Sequence, residues 1–123
     1  MSLAATLFLI GRIIFGLFFL VAAGRNFAGF KARIPSMTNY GWALPPPIVA
    51  LGFAMQLVGG ISLVVGLWPV LGALLLIVFL VLATSLYHNL FLFSGKERDP
   101  HLYLVLVNIT LAGGLLLVIA GTL

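Results

Sequence analysis

Four long apolar runs dominate the sequence and constrain its fold more than any other feature. They cover about residues 3–23, 46–67, 70–93 and 102–123. Each run is close to the roughly 20 residues that an α-helix needs to cross a bilayer. Because the runs are apolar around their whole circumference, they leave no polar face for contact with water. The sequence predicts an all-α, polytopic membrane four-helix bundle that forms a single transmembrane domain over residues 1–123.

The breaks between the runs predict how the helices connect. Gly24 ends the first span, and three consecutive prolines at 45–47 open the second, where proline is tolerated in the first helical turn. Only Trp68 and Pro69 separate the second span from the third, which predicts an antiparallel hairpin. The third span ends before the sequence SGKERDP at 94–100, where glycine and proline both break a helix.

The first loop is not simply polar. Its apolar residues recur at intervals of three or four: Phe27, Phe30, Ile34 and Met37. With basic residues between them, this spacing favours a short interfacial helix in the first loop, lying among the lipid headgroups, over a plain connecting loop. Tyr40 and Trp42 follow as expected interfacial anchors.

The basic residues predict the topology of the chain. Six Lys and Arg against two Asp and Glu give a net charge of +4. Five of the six cations lie next to the first or third break: Arg25, Lys31, Arg33, Lys96 and Arg98. The positive-inside rule therefore places loops 1 and 3 in the cytoplasm and both termini outside. The cations lie in loops beside apolar spans, so the expected partner is the lipid bilayer. The sequence has no basic stripe with stacking aromatics, so we expect no binding to nucleic acid.

The composition of the chain also excludes several kinds of reactive or cofactor-binding site. The chain has no cysteine, which excludes disulfides, thiol chemistry and cysteine-held iron–sulfur clusters. His88 and His101 form the one conceivable metal or haem pair, but no third ligand follows at a suitable spacing, so we expect no metal. No nucleophile with a base and no phosphate-binding glycine loop is present, so we expect no catalytic residues and lean against an enzyme.

One polar residue in each span forms the candidate site: Arg12, Gln56, His88 and Asn108. Counted from the side of loops 1 and 3, their depths are roughly 18, 15, 8 and 10 Å at 1.5 Å per residue. If they face inward, they form an intramembrane polar cluster that runs from the charged loops to the middle of the bundle. A charge at the depth of Arg12 costs at least about 2.5–3.5 kcal/mol.

The roles of these residues stay open at this point. Arg12 is held by Gln56, Asn108 and free helix carbonyls, or it binds a quinone head, a lipid phosphate or a partner's carboxylate. His88 donates a proton to a quinone, or it only bonds to Asn89 or a loop carbonyl.

Four glycines in the spans are expected to let helix backbones approach closely: Gly59, Gly60, Gly113 and Gly114.

Five stretches of the sequence resemble the DoxX family of small four-helix bacterial membrane proteins. They are GRIIFGLFF, YGWALPPP, QLVGGISLVVGL, GALLLIVFLVLATSLYHN and NITLAGGLLLV. The resemblance implies a multi-pass protein of the bacterial cytoplasmic (inner) membrane that is associated with redox chemistry. It also implies that Arg12 faces the position of Gln56, which in the family is often a glutamate.

Three functions follow from these observations. The favoured one is a non-catalytic small subunit or accessory protein of a redox-linked membrane complex, with other subunits or a homo-oligomer as partners. The second is a quinone- or lipid-binding membrane redox protein that uses the polar cluster, with quinone as its possible cofactor. The third is a small transporter.

Overall fold

The computed structural model describes all 123 residues of the chain, which fold into helices and short connections. The helices are α1 (Leu3–Ala28), α2 (Phe30–Arg33), α3 (Pro46–Val65), α4 (Pro69–Tyr87) and α5 (Arg98–Thr122), with 3₁₀ turns at Leu90–Leu92 and Gly95–Glu97. Four of the helical segments are long and apolar enough to cross a membrane, with mean hydropathies of 2.2 to 2.6. This confirms the predicted all-α membrane bundle with a short helix in the first loop.

The residues at the helix ends explain where the helices begin and end. The hydroxyl of Ser2 accepts a hydrogen bond from the amide of Ala5 at 3.0 Å and caps the start of α1. At the other end, α1 continues to Ala28, so Phe27 belongs to α1 and α2 is only four residues long. Gly66 ends α3 in the left-handed region at φ +76°, a conformation that favours glycine.

The core of the bundle is small, and most of its apolar surface faces outward. Its fully buried large side chains are Phe19, Leu63, Leu76 and Leu115. Only 14 of the 123 residues are buried, while many large apolar side chains on all four long helices are exposed. Because exposed apolar surface on this scale is stable only in lipid, the chain is a multi-pass membrane protein.

Glycine allows α1 to contact α3 backbone to backbone. A Cβ on Gly16 would lie 2.9 Å from the carbonyl oxygen of Gly60, and a Cβ on Gly60 would lie 3.1 Å from that of Gly16. Gly59 packs against Leu76 of α4, so the close approach expected at 59 and 60 is confirmed. Gly114 packs against a phenylalanine ring of α1. The expectation for Gly113 is wrong, because a Cβ built there would have no atom of another helix within 4 Å.

The two ends of the bundle differ in shape. We call the end with residues 29–45 and 88–97 the charged side, and the end with both termini and residues 66–68 the hairpin side. On the hairpin side, Gly121 packs against Phe8, so α1 and α5 run alongside each other there. On the charged side, residues 29–45 fold back, and Phe27 and Phe30 pack edge-on against Phe53 of α3.

Candidate functional site

Loop 1 determines where α4 ends. The backbone amide of Asn39 donates to the carbonyl of Leu86 at 2.7 Å, and its side-chain amide donates to the carbonyl of Tyr87 at 3.2 Å. The Asn39 side-chain oxygen then accepts from the amide of Asn89 at 2.8 Å. These bonds satisfy carbonyls that a helix end leaves free. The apolar segment that can span the membrane runs from Pro69 to Leu92, close to the expected 70–93, but its α-helical part ends at Tyr87, where Asn39 occupies the last carbonyls.

A histidine pair lies directly after this helix end. The Nδ1 atoms of His88 and His101 are 2.8 Å apart, so one ring donates a proton that the other accepts. The ring of Phe93 stacks on His101 with a centroid distance of 3.8 Å. The fourth apolar run begins at about residue 102, which places His101 in the loop before it, but α5 begins at Arg98 and His101 lies in its first turn. The bond to His101 replaces the partners expected for His88, which were Asn89 or a loop carbonyl.

The histidine pair borders a pocket on the charged side. This pocket has a volume of about 530 Å³. Its lining comes from loop 1, the end of α4, the connection between α4 and α5, and the first turn of α5: Met37, Thr38, Asn39, Tyr87, His88, Leu92, Phe93 and His101. We call it the histidine pocket.

A second cavity shares Tyr87 and His88 with the histidine pocket and extends along the bundle. It has a volume of about 690 Å³, and 11 of its 16 lining residues are hydrophobic. α4 lines it with Phe79, Leu82, Ala83 and Leu86, followed by Tyr87 and His88. We call it the α3–α4 groove. Its volume lies within the roughly 300–1,000 Å³ of small-molecule sites.

Polar groups in the groove come from three parts of the chain. Asn26 of α1, Arg33 of α2 and His88 all contribute to its lining. The guanidinium of Arg33 folds over Gly29, where the absence of a side chain makes room for it. Leu51 and Leu82 in the lining remain 57% and 51% exposed, so the groove opens toward lipid. An amphipathic molecule can therefore enter from the bilayer and meet hydrogen-bond donors at one end.

Arg12 lies at the opposite end of the bundle from these cavities. Its Nε donates to the carbonyl of Leu63 at 2.9 Å, and its guanidinium packs on Gly66 at the end of α3. A helix carbonyl thus holds Arg12, as expected, but Gln56 and Asn108 make no hydrogen bond to it. The expectation that Arg12 faces Gln56 is wrong, since Gln56 lies seven residues, or about 10 Å of helix, before Leu63.

The other polar residues of the spans bond in separate pairs. The side-chain amide of Asn26 donates to Gln56 Oε1 at 2.8 Å, and that of Asn108 donates to Thr84 Oγ1 at 2.9 Å. Each of the four candidate residues therefore has its own hydrogen-bond partner: the carbonyl of Leu63 for Arg12, Asn26 for Gln56, His101 for His88 and Thr84 for Asn108. The predicted residues therefore do not share one hydrogen-bonded cluster, and only His88 lines the two cavities described above.

Sequence reasoning missed Asn39, Asn26 and Thr84. The turn sequence TNYG around Asn39 could have pointed to this residue, because asparagine in such a turn often bonds to nearby backbone through its side chain. The sequence places Asn26 after the expected end of the first span at Gly24, whereas α1 continues through Gly24, Arg25 and Asn26.

Comparison with known proteins gives one match. A family model described as DoxX matches residues 7–89, more than half of the chain. The matched region contains α1 from Leu7 onward, α2 to α4, Asn39 and His88, and it ends before α5. No curated protein and no solved structure matches the chain.

Proposed function

The chain belongs to the DoxX family, and we propose that it is a membrane protein that binds a quinone-class molecule in the α3–α4 groove. The observation that carries the proposal is that one groove joins a mostly apolar, lipid-facing lining to His88, which also lines the histidine pocket. A quinone has the matching chemistry, with a long apolar tail and a head that carries two carbonyl acceptors.

The apolar part of the groove suits the tail. Phe79, Leu82 and Leu86 follow one another along α4 at helical spacing and line one wall. Ile48 and Leu51 line the wall that α3 supplies, and both are about half exposed. A tail in this position exchanges contact with bilayer lipid for contact with protein, and its far end extends out into the bilayer.

The polar end of the groove suits the head. Arg33 carries only donors. His88 offers a second donor in the tautomer in which its Nδ1 accepts the proton of His101, because its Nε2 then carries the hydrogen that can bond to a carbonyl oxygen. When bound, a quinone supplies two-electron chemistry coupled to protons. The chain's own part is to bind and orient the head beside a histidine pair that already shares a proton.

The first test measures binding of decylubiquinone to the purified protein in detergent micelles. We expect saturable binding, and we expect His88→Ala to weaken it about fivefold, as the loss of one hydrogen bond predicts. His101→Ala is the matched control, because His101 contacts His88 but does not line the groove. It should weaken binding less than His88→Ala does.

Two outcomes would refute this proposal. One is that a decyl chain without the quinone head binds as tightly as decylubiquinone. The other is that phospholipid displaces decylubiquinone completely at equal mole fraction, which would make the groove a lipid site.

A second candidate function is a small subunit of a larger redox-linked membrane complex. The observation that favours it is the exposure of α5, which buries only Leu115 and Val118 and leaves a long apolar surface for lipid or for another protein. Transport gains no support, since the four polar residues do not converge on one site. The subunit function predicts that a larger membrane protein co-purifies with the chain after mild detergent extraction; isolation from native membranes as the chain alone would contradict it.

A further inference from the structure

Arg12 has hydrogen-bonding capacity that the chain itself does not use. Its Nε is the one nitrogen of the side chain that bonds within the protein, to the carbonyl of Leu63. No buried side-chain nitrogen or oxygen in the structure lacks a partner. The two terminal nitrogens of Arg12 therefore keep accessible surface and make no hydrogen bond within the chain.

The charge of Arg12 is balanced only in part. The last carbonyls of α3 carry the negative end of the helix dipole, equivalent to about half an elementary charge. No acidic side chain adds to this, because Glu97 and Asp99, the two acidic residues of the chain, lie toward the charged side. The guanidinium keeps net positive charge at the end of α3.

Near Arg12, the helices of the bundle extend to different heights on the hairpin side. α3 ends at Val65, two residues after the carbonyl that Arg12 binds, whereas α1 continues nine residues, or about 13 Å, from Arg12 toward its N-terminus. The contact of Phe8 with Gly121 shows that α5 continues beside α1. The short hairpin at 66–68 thus leaves a recess on the hairpin side, with Arg12 at its base.

The hairpin at the base of the recess is held in place. The hydroxyl of Ser62 lies 2.6 Å from the carbonyl oxygen of Leu67 and 3.0 Å from that of Trp68, and its single hydrogen is shared between them. The side chain of Trp68 is 70% exposed, and exposed tryptophan is typical of the headgroup level, where its N–H bonds to lipid. Trp68 therefore indicates that the hairpin lies at the headgroup level.

We infer that Arg12 binds the phosphate of a lipid headgroup in this recess. Arginine pairs with phosphate through two parallel N–H···O bonds, which matches the free terminal nitrogens. A phospholipid can bring its phosphate into the recess, because the shortened hairpin leaves room for the headgroup below the ends of α1 and α5. This site is separate from the α3–α4 groove, which lies toward the opposite end of the bundle.

The test uses native mass spectrometry of the full chain with phosphatidylglycerol, diacylglycerol or inorganic phosphate. Phosphatidylglycerol should stay bound to the wild type, whereas diacylglycerol, which has the tails but no phosphate, should not. Arg12→Gln should weaken phosphatidylglycerol binding about tenfold, as expected for lost hydrogen bonds to a charged group. Arg25→Gln is the matched control, since it removes an exposed cation from the same helix on the charged side.

Two results would overturn the inference. Equal losses in Arg12→Gln and Arg25→Gln would show that lipid binding reflects overall charge. Tight binding of inorganic phosphate without lipid would identify free phosphate as the ligand. Should Arg12→Gln fail to fold, Arg12→Lys keeps the charge but loses the planar fork, and it should still bind phosphatidylglycerol more weakly than the wild type.

Discussion

Gly16→Val should separate α1 from α3 and lower the free energy of unfolding by about 3 kcal/mol or more, because the added atoms have no space. Even a single Cβ at this position would lie 2.8 Å from the backbone nitrogen of Val64 and 2.9 Å from the carbonyl oxygen of Gly60. Both are backbone atoms of α3, so no side-chain rotation relieves the overlap. The measurement is the unfolding free energy of the purified protein in detergent.

Gly11→Val is the matched control for this prediction. Gly11 lies on the same helix, and nothing is within 4 Å of a Cβ built there. It should change the unfolding free energy by less than about 1 kcal/mol, within the range of helix propensity. Equal stability of Gly16→Val and Gly11→Val would mean that α1 and α3 are not in backbone contact.

Ala83→Trp should weaken decylubiquinone binding about a hundredfold, because a large side chain in a filled site causes steric overlap. Ala83 lines the groove between Phe79 and Leu86, so an indole there occupies the path of the tail. The groove opens toward lipid, which lets the new side chain displace ligand without disturbing the buried core.

Val81→Trp separates ligand exclusion from general damage to α4. Val81 is two residues away on the same helix, is 56% exposed and does not line the groove. It should bind decylubiquinone as the wild type does. If Ala83→Trp also binds normally, the tail does not lie in the groove.

The membrane spans could be predicted from the sequence because each depends on a continuous local signal. Twenty apolar residues in a row form a helix in lipid whatever else the chain does. The proline run before α3 and the short break after Gly66 likewise act within a few residues. The end of α4 could not be predicted in this way, since it is set by Asn39, which is distant in sequence from Leu86 and Tyr87.

The four candidate residues do not form the predicted cluster. Their depths were counted along each helix separately, and such counting does not reveal how far one helix is displaced along its axis relative to another. Residue counting placed Arg12 and Gln56 at nearly the same depth, on the assumption that all spans begin at one plane. In the structure α1 is displaced toward the hairpin side, so Arg12 reaches Gly66 while Asn26 reaches Gln56. This displacement is fixed by the contact of Gly16 with Gly60, which no single helix reveals.

His88 was identified from sequence as a polar residue near the membrane face, but its partner was not. His101 follows a proline and two charged residues, which suggested a loop, yet α5 begins three residues before it. The first turns of α5 bring its ring to His88 and close the histidine pocket. The site therefore depends on contact between two helices and loop 1.

Photolabelling with an azido-substituted quinone, followed by peptide mapping, tests the central claim most directly. The label should attach within residues 79–88, which cover the end of α4 and His88, or within residues 33–44 of loop 1, and excess decylubiquinone should prevent it. Ala83→Trp should lose this label, whereas Val81→Trp should keep it. Labelling spread evenly over the lipid-facing surfaces of all four long helices, and unaffected by decylubiquinone, would contradict quinone binding in the α3–α4 groove.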